Sequence, residues 1–406
     1  MIDEEEIRSV TEVLRRKVFD RHRGSEVPSL EKEFAQTLGV PYVVALNSGS
    51  SALNCALFAL GIKPGDEVII PSFSFIGDAA AVLNCGATPV FCEIDNTLTL
   101  SVDDAINLVN ERTKAIVAVH MRGAPCDMEK LEELCRTYRI SLVEDVAQSN
   151  GGSFKGKPLG TFGRIGCFSL QQLKVITTGE GGFLVTSEAE LFKNVMFQHD
   201  AATFWSYHTD DLIPLKEVMS QRPPHKAPFW SYHTNAPNYL MPQTTLNLRM
   251  GEMEGAFGRV QLRKLPSIVA RLRERKQKLL QLLGNLPGCE QRAFHDADGE
   301  VGIALLLQIH PELPADEIQK AIFAEGIEAS LLLPPGMNAM NIPERHFCDG
   351  WGKILGSERL IGEHRCNSSK SLLNRTLQIQ INPTHADRDL EEIAEGVRKV
   401  FCYFAD

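Results

Sequence analysis

Short apolar segments that alternate with segments of helical spacing constrain the fold of this chain more than any other feature. Short apolar runs occupy residues 42–46, 68–70, 90–93, 115–120 and 141–143, and a helix-like segment separates each run from the next. Strands that alternate with helices require crossover connections, which favour parallel pairing with helices on both faces of the sheet. We therefore predict an α/β fold with a mainly parallel mixed sheet flanked by helices.

The length of the chain predicts two domains. At 406 residues it exceeds the size at which a single hydrophobic core usually stops growing. The strand and helix alternation lies in the first part of the chain, and later signals suggest a smaller α+β unit. We expect a large domain over residues 1–265, with an extended loop at about 201–240, and a small C-terminal α+β domain over 266–406.

Charge and composition argue against several classes of partner and compartment. The net charge of −10 argues against nucleic acid, and no segment approaches the run of about 18 apolar residues that spans a membrane. The acidic start, Met-Ile-Asp-Glu-Glu-Glu, differs from the basic and then apolar start of a signal peptide. Ten scattered cysteines without a Cys-x-x-Cys pair suit a reducing compartment. We therefore expect a cytoplasmic protein.

One polar segment invites a metal interpretation, which we do not adopt. His346, Cys348, His364 and Cys366 lie within it. Their spacing matches no closed zinc site, so we predict no metal centre.

A single lysine in a polar loop between two apolar strands is the strongest candidate for chemistry. Residues 167–186 read as a strand, a loop that carries Lys174, a glycine-rich turn and a second strand. A lysine held there loses hydration, so its pKa falls toward the range in which the free amine can form a Schiff base. Gly179, Gly181 and Gly182 would let a bulky group approach the main chain. The alternative is a lysine with its head in water and glycines that only close a hairpin.

A strand, a small polar turn and a helix N-terminus follow one another at residues 42–60. The turn Asn47-Ser-Gly-Ser-Ser leads directly into an apolar helix, an arrangement that exposes backbone N–H groups to an anion. Ser50 and Ser51 could add hydroxyl donors to a phosphate. The alternative is that Ser50 merely caps the helix.

Asp145 follows the end of a buried strand, where a carboxylate needs a cationic or protonated partner. A pyridinium nitrogen is one such partner. The alternative is that Asp145 caps the next segment or pairs with an arginine. Since ligands of parallel sheets bind beyond the carboxyl ends of the strands, we expect Ser50, Phe75, His120, Asp145 and Gln148 to lie near one another.

Together these motifs resemble the DegT/StrS family of sugar aminotransferases, within the fold-type-I pyridoxal phosphate enzymes. The resemblance rests, in order, on the Ser50-Ser51 turn, Phe75, Glu144-Asp145-x-x-Gln148, Phe168-Ser169-x-x-x-x-Lys174 and Gly179-Glu-Gly-Gly182. It covers about residues 28–200 and resumes at Asn247-Leu-Arg-Met250. The segment Ser-Leu-Gln-Gln-Leu-Lys is particularly similar to the branch that acts on keto-cyclitols. The resemblance implies an aspartate-aminotransferase-like fold.

The resemblance implies pyridoxal 5'-phosphate as the cofactor. Lys174 would hold it as an internal aldimine and act as the catalytic residue, while Asp145 would pair with the pyridine nitrogen. Gln148 would contact the ring hydroxyl, and Phe75 would stack on the face of the ring.

The resemblance also assigns residues to the cofactor phosphate. Ser50, the backbone of Ser51, and Ser169 would hold it within one chain. Asn247 would reach it from the neighbouring subunit, so the active site would need a homodimer.

The implied activity is ping-pong transfer of an amino group from L-glutamate or L-glutamine to a keto-sugar or keto-cyclitol. Arg122, Asn150 and Asp200 stand where the family pattern leads us to expect an aromatic residue, histidine and glycine. These departures bear on the acceptor and keep an alternative open: dehydration or carbon–carbon bond formation with the same cofactor. The dehydratase branch replaces the lysine with histidine, so Lys174 speaks against that branch.

A repeated hexapeptide marks the segment between His199 and Asn247. Phe-Trp-Ser-Tyr-His-Thr occurs at 204–209 and again at 229–234, separated by a proline-bearing linker. One interpretation is a mobile lid whose aromatic residues and His208 or His233 contact a sugar-like ring. The alternative is a duplicated loop that packs on the dimer partner or is partly disordered.

Overall fold

The computed structural model describes residues 2–199, 246–332 and 366–405. Its helices are α1 (Glu4–Arg16), α2 (Glu26–Leu38), α3 (Gly49–Ala59), α4 (Ile76–Asn84), α5 (Val102–Leu108), α6 (Met128–Tyr138), α7 (Ala189–His199), α8 (Glu252–Leu283), α9 (Ala315–Ala324), α10 (Asn367–Asn374) and α11 (Asp387–Ala405). Its strands are β1 (Tyr42–Leu46), β2 (Glu67–Pro71), β3 (Thr88–Cys92), β4 (Thr113–Val119), β5 (Ser141–Asp145), β6 (Ser153–Phe154), β7 (Lys157–Pro158), β8 (Ile165–Ser169), β9 (Gly182–Thr186), β10 (Cys289–Gln291), β11 (Ala304–Ile309), β12 (Ala329–Leu331) and β13 (Thr376–Gln380).

Seven strands form the central sheet in the order β1-β9-β8-β5-β4-β2-β3. The pairs from β8 through β5, β4 and β2 to β3 are parallel, whereas β9 runs antiparallel to both β8 and β1. Only β9 therefore opposes the other strands of this sheet. The predicted mainly parallel mixed sheet is confirmed.

Helices cover both faces of this sheet because its strands are apolar on both sides. In β1, Val43 and Ala45 pack into one core, while Val44 and Leu46 pack into the other. Strands buried on both faces read as continuous apolar runs, which is why the sequence identified them.

The C-terminal part contains a four-stranded antiparallel sheet in the order β10-β11-β13-β12. Helices α9 and α11 pack against it through apolar side chains such as Ile322 and Val397, as an α+β arrangement requires. Helix α8 runs without interruption through residue 265 and contains Pro266. The division of the chain at that residue remains a prediction.

The start of α2 differs from the sequence prediction because of how the helix is capped. Ser29 followed by the apolar spacing of residues 31–38 predicts a helix capped by Ser29, but α2 begins at Glu26 and Ser29 lies inside it. The side chain of Glu252 accepts hydrogen bonds from the N–H groups of Glu26 (2.8 Å) and Val27 (3.0 Å). A cap supplied from 225 residues away is invisible to local patterns.

Several sequence predictions fall outside the described residues. The repeated hexapeptides and the loop expected at 201–240 belong to residues 200–245, and His346, Cys348 and His364 belong to 333–365. Within the described ranges, no group of three metal-ligating side chains comes together. In those same ranges, no helix combines the length and apolar character that a bilayer crossing requires.

Candidate active site

The candidate site lies where the parallel strands of the central sheet end. Asp145 closes β5, and His120 follows β4; the N–H of His120 donates to the carbonyl of Asp145 at 3.0 Å. The N–H of Arg122 donates to Oε1 of Gln148 at 3.2 Å. These bonds join the two segments at one edge of the sheet, where ligands of such folds bind.

The N-terminus of α3 presents open backbone donors at this edge. Ser48 caps the helix by accepting from the N–H of Ser51 at 3.1 Å, so the alternative in which Ser50 is the cap is wrong. The hydroxyl of Ser51 donates to Oδ1 of Asn47 at 2.6 Å and thereby fixes the turn. The N–H groups of Gly49 and Ser50 have no acceptor among the described residues. This helix end can therefore bind an anion.

Glycines bring three of the predicted residues together. A Cβ atom on Gly49 would lie 2.8 Å from Cβ of Ser169, so Ser169 sits against the first turn of α3. A Cβ atom on Gly77 would lie 3.1 Å from both Oγ of Ser50 and Cδ1 of Phe75. Phe75 is 46% exposed, which leaves a ring face open for stacking. The site thus combines an anion-binding turn with an aromatic surface.

Lys174 is half-buried in the loop between β8 and β9. Burial lowers the pKa of its amine, and the positive charge of Arg122 lowers it further, while Asp145 and Asp78 oppose the shift. The alternative, a lysine with its head in water, does not fit this environment.

The glycines near Lys174 serve the packing of the chain itself. Gly179 has a φ of +84°, in the left-handed region that favours glycine. A Cβ atom on Gly182 would lie 2.6 Å from the carbonyl oxygens of both Phe168 and Ser48. We expected a bulky group to approach the main chain at Gly182. The group that approaches there is the backbone of the chain itself.

Asp145 is 5% exposed at the end of β5. Burial raises the pKa of its carboxyl, whereas the N–H of Ala147, which donates to Oδ1 at 2.7 Å, and the charge of Lys174 oppose that rise. The carboxyl does cap the next turn through Ala147, as one alternative predicted. It forms no ion pair with an arginine in the described part of the chain, and Lys174 supplies the nearby positive charge.

Glu144 and His120 form a buried hydrogen-bond network next to the site. Glu144 is fully buried and accepts from three backbone N–H groups of the loop 160–163, each at 2.7 Å, and from Nε2 of His120 at 3.1 Å. Nδ1 of His120 accepts from the N–H of Cys126 at 3.1 Å. Both ring nitrogens are therefore occupied, and His120 has a structural role beside the site.

Sequence analysis did not predict a role for Arg122 and noted only that it stands where the family pattern has an aromatic residue. Its φ is +53°, and buried Arg292 fixes this turn by donating to the carbonyls of Met121 and Arg122, both at 2.9 Å. In the described part of the chain Arg122 forms no salt bridge, and its buried Nε has no hydrogen-bond partner. Among the described residues the guanidinium therefore has no anionic partner, and its positive charge acts on Lys174.

Asn247 is exposed in the segment 246–250, which runs beside the start of the α3 turn. The N–H of Asn47 donates to the carbonyl of Leu248 at 2.8 Å. Its expected role toward a neighbouring subunit remains a prediction.

The chemistry of this donor set fits pyridoxal phosphate. The open N–H groups of α3 suit a phosphate, and exposed Phe75 suits a ring face. Buried Asp145 suits a protonated ring nitrogen, and Lys174, with its lowered pKa, suits an aldehyde carbon.

Comparison with known proteins assigns the family. The model of the DegT/DnrJ/EryC1/StrS aminotransferase family matches residues 1–398. The chain belongs to this family. The resemblance drawn from the motifs is thereby confirmed.

Two curated relatives are named for GDP-perosamine and for 2-deoxy-scyllo-inosose. GDP-perosamine synthase of Escherichia coli O157:H7 is 43% identical over 171 residues, which cover 42% of this chain and 47% of that protein. L-glutamine:2-deoxy-scyllo-inosose aminotransferase of Streptomyces fradiae is 40% identical over 195 residues, covering 46% of each protein. This chain therefore spans about half the length of these relatives.

One relative matches along nearly the whole chain. Spore coat polysaccharide biosynthesis protein SpsC of Bacillus subtilis is 30% identical over 402 residues, which cover 98% of this chain and 95% of that protein. The similarity to a curated relative therefore extends along nearly the whole chain.

Solved structures share the fold over its full length. The aminotransferase from Psychrobacter cryohalolentis superposes with a TM-score of 0.81 at 26% identity, covering 100% of this chain and 98% of its own. GDP-4-keto-6-deoxy-D-mannose-3-dehydratase of E. coli, determined with bound hydrated pyridoxal phosphate, has a TM-score of 0.79 at 23% identity, covering 98% and 97%. The predicted fold class is confirmed, and pyridoxal phosphate is the cofactor of the family to which the chain belongs.

Proposed function

We propose that this chain is a pyridoxal-phosphate-dependent aminotransferase that moves an amino group from L-glutamate or L-glutamine to a keto-sugar or keto-cyclitol. The observation that carries the proposal is Lys174, whose amine has a lowered pKa and interacts with the charge of buried Asp145. It lies in the loop that follows Ser169, and Ser169 packs against the open N-terminus of α3. An activated amine, a buried carboxylate and an anion site are the three groups that this chemistry requires.

Each part of the cofactor has a candidate partner in the chain. The N–H groups of Gly49 and Ser50, with the hydroxyls of Ser50 and Ser169, would hold the phosphate. Ser51 would contribute by fixing the turn through its hydroxyl; its N–H, for which we expected a direct contact with the phosphate, donates to Oγ of Ser48.

The ring would lie between an aromatic side chain and the carboxyl edge of the sheet. Phe75 would stack on its face, Asp145 would pair with its nitrogen, and Gln148, already oriented by the N–H of Arg122, would contact its hydroxyl. Lys174 would hold its aldehyde carbon.

The residues of the chain would bind and orient the cofactor and the substrates, and Lys174 would transfer protons. Bound pyridoxal phosphate supplies an electron sink that stabilises negative charge on the substrate carbon. The amine of Lys174, when free, would take the proton from the donor's α-carbon as general base and, as general acid, would pass it to a carbon of the cofactor instead of returning it to the donor. A lowered pKa increases the fraction of neutral amine that can act as the base. The keto acid then leaves before the acceptor enters, so ping-pong kinetics result.

The names of two relatives and the positive charge of Arg122 support the proposed substrates. Relatives named for perosamine and for 2-deoxy-scyllo-inosose support a keto-sugar or keto-cyclitol acceptor. The guanidinium of Arg122, which has no anionic partner among the described residues, supports an amino-acid donor, since arginine suits a carboxylate.

We also propose that the enzyme is a cytoplasmic homodimer in which Asn247 of one subunit reaches the phosphate bound by the other. The exposed position of Asn247 beside the α3 turn supports a shared site. Sedimentation of the full chain tests the dimer, and a monomer that still transfers amino groups would contradict it.

Release of keto acid tests the proposed reaction. With L-glutamate, pyridoxal phosphate and a keto-sugar acceptor, we expect 2-oxoglutarate to form and Lys174→Ala to lower its rate by about 10²- to 10⁴-fold or more. Lys155→Ala, which changes an exposed lysine paired with Glu129, is the matched control and should leave the rate unchanged. Failure to release a keto acid with either donor would contradict amino transfer.

A further inference from the structure

Asp78 is a buried carboxyl in the first turn of α4, three residues after Phe75. It is 1% exposed. No N–H or O–H group of the described residues donates to either of its side-chain oxygens with ordinary hydrogen-bond geometry. The hydroxyl of Ser74 lies near it but bonds at 3.4 Å to the carbonyl of Phe75. A buried carboxylate without hydrogen-bond donors is costly. Asp78 therefore needs either a proton or a neighbouring group that compensates its charge.

Two side chains interact with the buried carboxyl of Asp78, the hydroxyl of Ser74 and the carboxyl of Asp145, and of these only Asp145 is a second acid. Two ionised carboxylates that share a buried space repel each other, so one of them keeps a proton. Asp145 already accepts from the N–H of Ala147 and faces Lys174, which favour its ionised form. Asp78 is the one that stays protonated, because burial and the charge of Asp145 raise its pKa.

The surroundings of the pair come from several elements. The polar and titratable groups that face it are Ser74, His120, Cys167 and Lys174. Only Lys174 among these brings the positive charge of an ammonium, and it is half-buried on the side of the site. The proton that one carboxyl keeps is therefore shared between Asp78 and Asp145.

We propose that Asp78 is a positioning residue for the ring nitrogen of the cofactor: it donates its proton to Asp145 and so keeps Asp145 ionised and in one orientation. The inference rests on the proposed function, because the nitrogen belongs to pyridoxal phosphate. A donor to a carboxylate favours the charged form, and a charged Asp145 is what a protonated ring nitrogen requires. The proton stays between the two carboxyls, and no bond to carbon forms or breaks.

Two substitutions separate the hydrogen bond from the carboxyl group. Asp78→Asn keeps an N–H donor of similar shape, whereas Asp78→Leu fills the space without a donor. We expect Asn to retain the affinity for pyridoxal phosphate within about threefold and Leu to weaken it by about tenfold to a hundredfold, the usual range for a lost bond to a charged group. Equilibrium titration of the full chain with pyridoxal phosphate measures both values.

The pH dependence of stability gives a readout that needs no cofactor. A carboxyl whose pKa is raised on folding lowers the free energy of unfolding as pH rises from about 4, its ordinary value, toward the raised pKa. Urea unfolding of the cofactor-free full chain should therefore show Asp78→Asn becoming more stable relative to the wild type as pH increases. Asp103→Asn, an exposed first-turn acid of α5, is the matched control and should follow the wild type.

The outcomes distinguish this inference from the proposed function. Equal affinity in the Leu variant, or an Asn variant whose stability follows the wild type at every pH, would overturn the role of Asp78 and leave the aminotransferase proposal intact. If the wild type itself does not bind pyridoxal phosphate, both proposals fail, even though the pH series still reports on the carboxyl pair.

Discussion

At the scale of single residues, the site depends on charges that the fold places around one amine. Lys174 lies between carboxylates that favour its charged form and Arg122, which disfavours it; burial also disfavours the charged form. The amine must lose its proton to act as a base, so Arg122 has a second effect besides any contact with substrate.

Changing Arg122 should move the pH dependence of the reaction. Arg122→Gln removes a positive charge near Lys174, so we expect the pKa of Lys174 to rise and the rate of the first half-reaction to increase only at higher pH than in the wild type. Arg122→Lys keeps the charge and serves as the control for the position of that limb. Single-turnover rates with L-glutamate across pH give the measurement, and coincident profiles for Gln and the wild type would contradict this role.

The same scale shows why some site residues could be predicted and others could not. Lys174 stands out because it is a single lysine in a loop between two apolar strands, and Asp145 because it ends an apolar strand. Asp78 gave no comparable signal, since an acid in the first turn of a helix is ordinary and is usually exposed. Its burial against Asp145 arises from the packing of α4 on the sheet, which local sequence does not reveal.

At the scale of elements, a buried charge cluster links α8 to the turn that carries Arg122. Lys276 of α8 donates to both carboxylate oxygens of Glu300, at 2.6 and 2.7 Å, and Arg292 contacts Glu300 at 3.1 Å. Burial lowers the pKa of Lys276 to about 8, against the opposing charge of Glu300. Since Arg292 also holds the carbonyl of Arg122, this cluster supports the strained turn at the site.

Neutralising Glu300 should destabilise the fold. Glu300→Gln would leave two buried cations without their anion, and breaking such a buried set costs about 3–5 kcal/mol of unfolding free energy. Glu129→Gln makes the same change in an exposed pair with Lys155 and should cost no more than about 1 kcal/mol. Urea unfolding measures both; equal losses in the two variants would show that burial of the cluster contributes nothing.

Element boundaries were predictable where the signal is local. The bounds of β1 agree with the apolar run predicted over residues 42–46, because turn residues enclose that run. The start of α2 was missed because Glu252 provides its cap. Residues 200–245 and 333–365 are outside the described structure, so the lid interpretation stays a prediction.

At the scale of the whole molecule, the fold gathers residues from distant positions at one edge of the sheet. Ser50 reaches the site from the start of α3, Phe75 from the end of β2, Asp145 from β5 and Lys174 from the loop after β8. Topology predicted this convergence, since parallel strands end on the same side. Arg292, which directly follows β10 of the antiparallel sheet, connects that sheet to the site by donating to the carbonyl of Arg122.

The most direct test of the central claim is the visible absorption spectrum of the purified full chain with pyridoxal phosphate, before and after excess L-glutamate or L-glutamine, beside Lys174→Ala. We predict a visible band that the variant cannot form and that gives way to a band at shorter wavelength when the donor is added. A band that ignores both donors would contradict amino transfer and favour dehydration or carbon–carbon bond formation. A spectrum that is the same in Lys174→Ala would contradict the assignment of Lys174 itself.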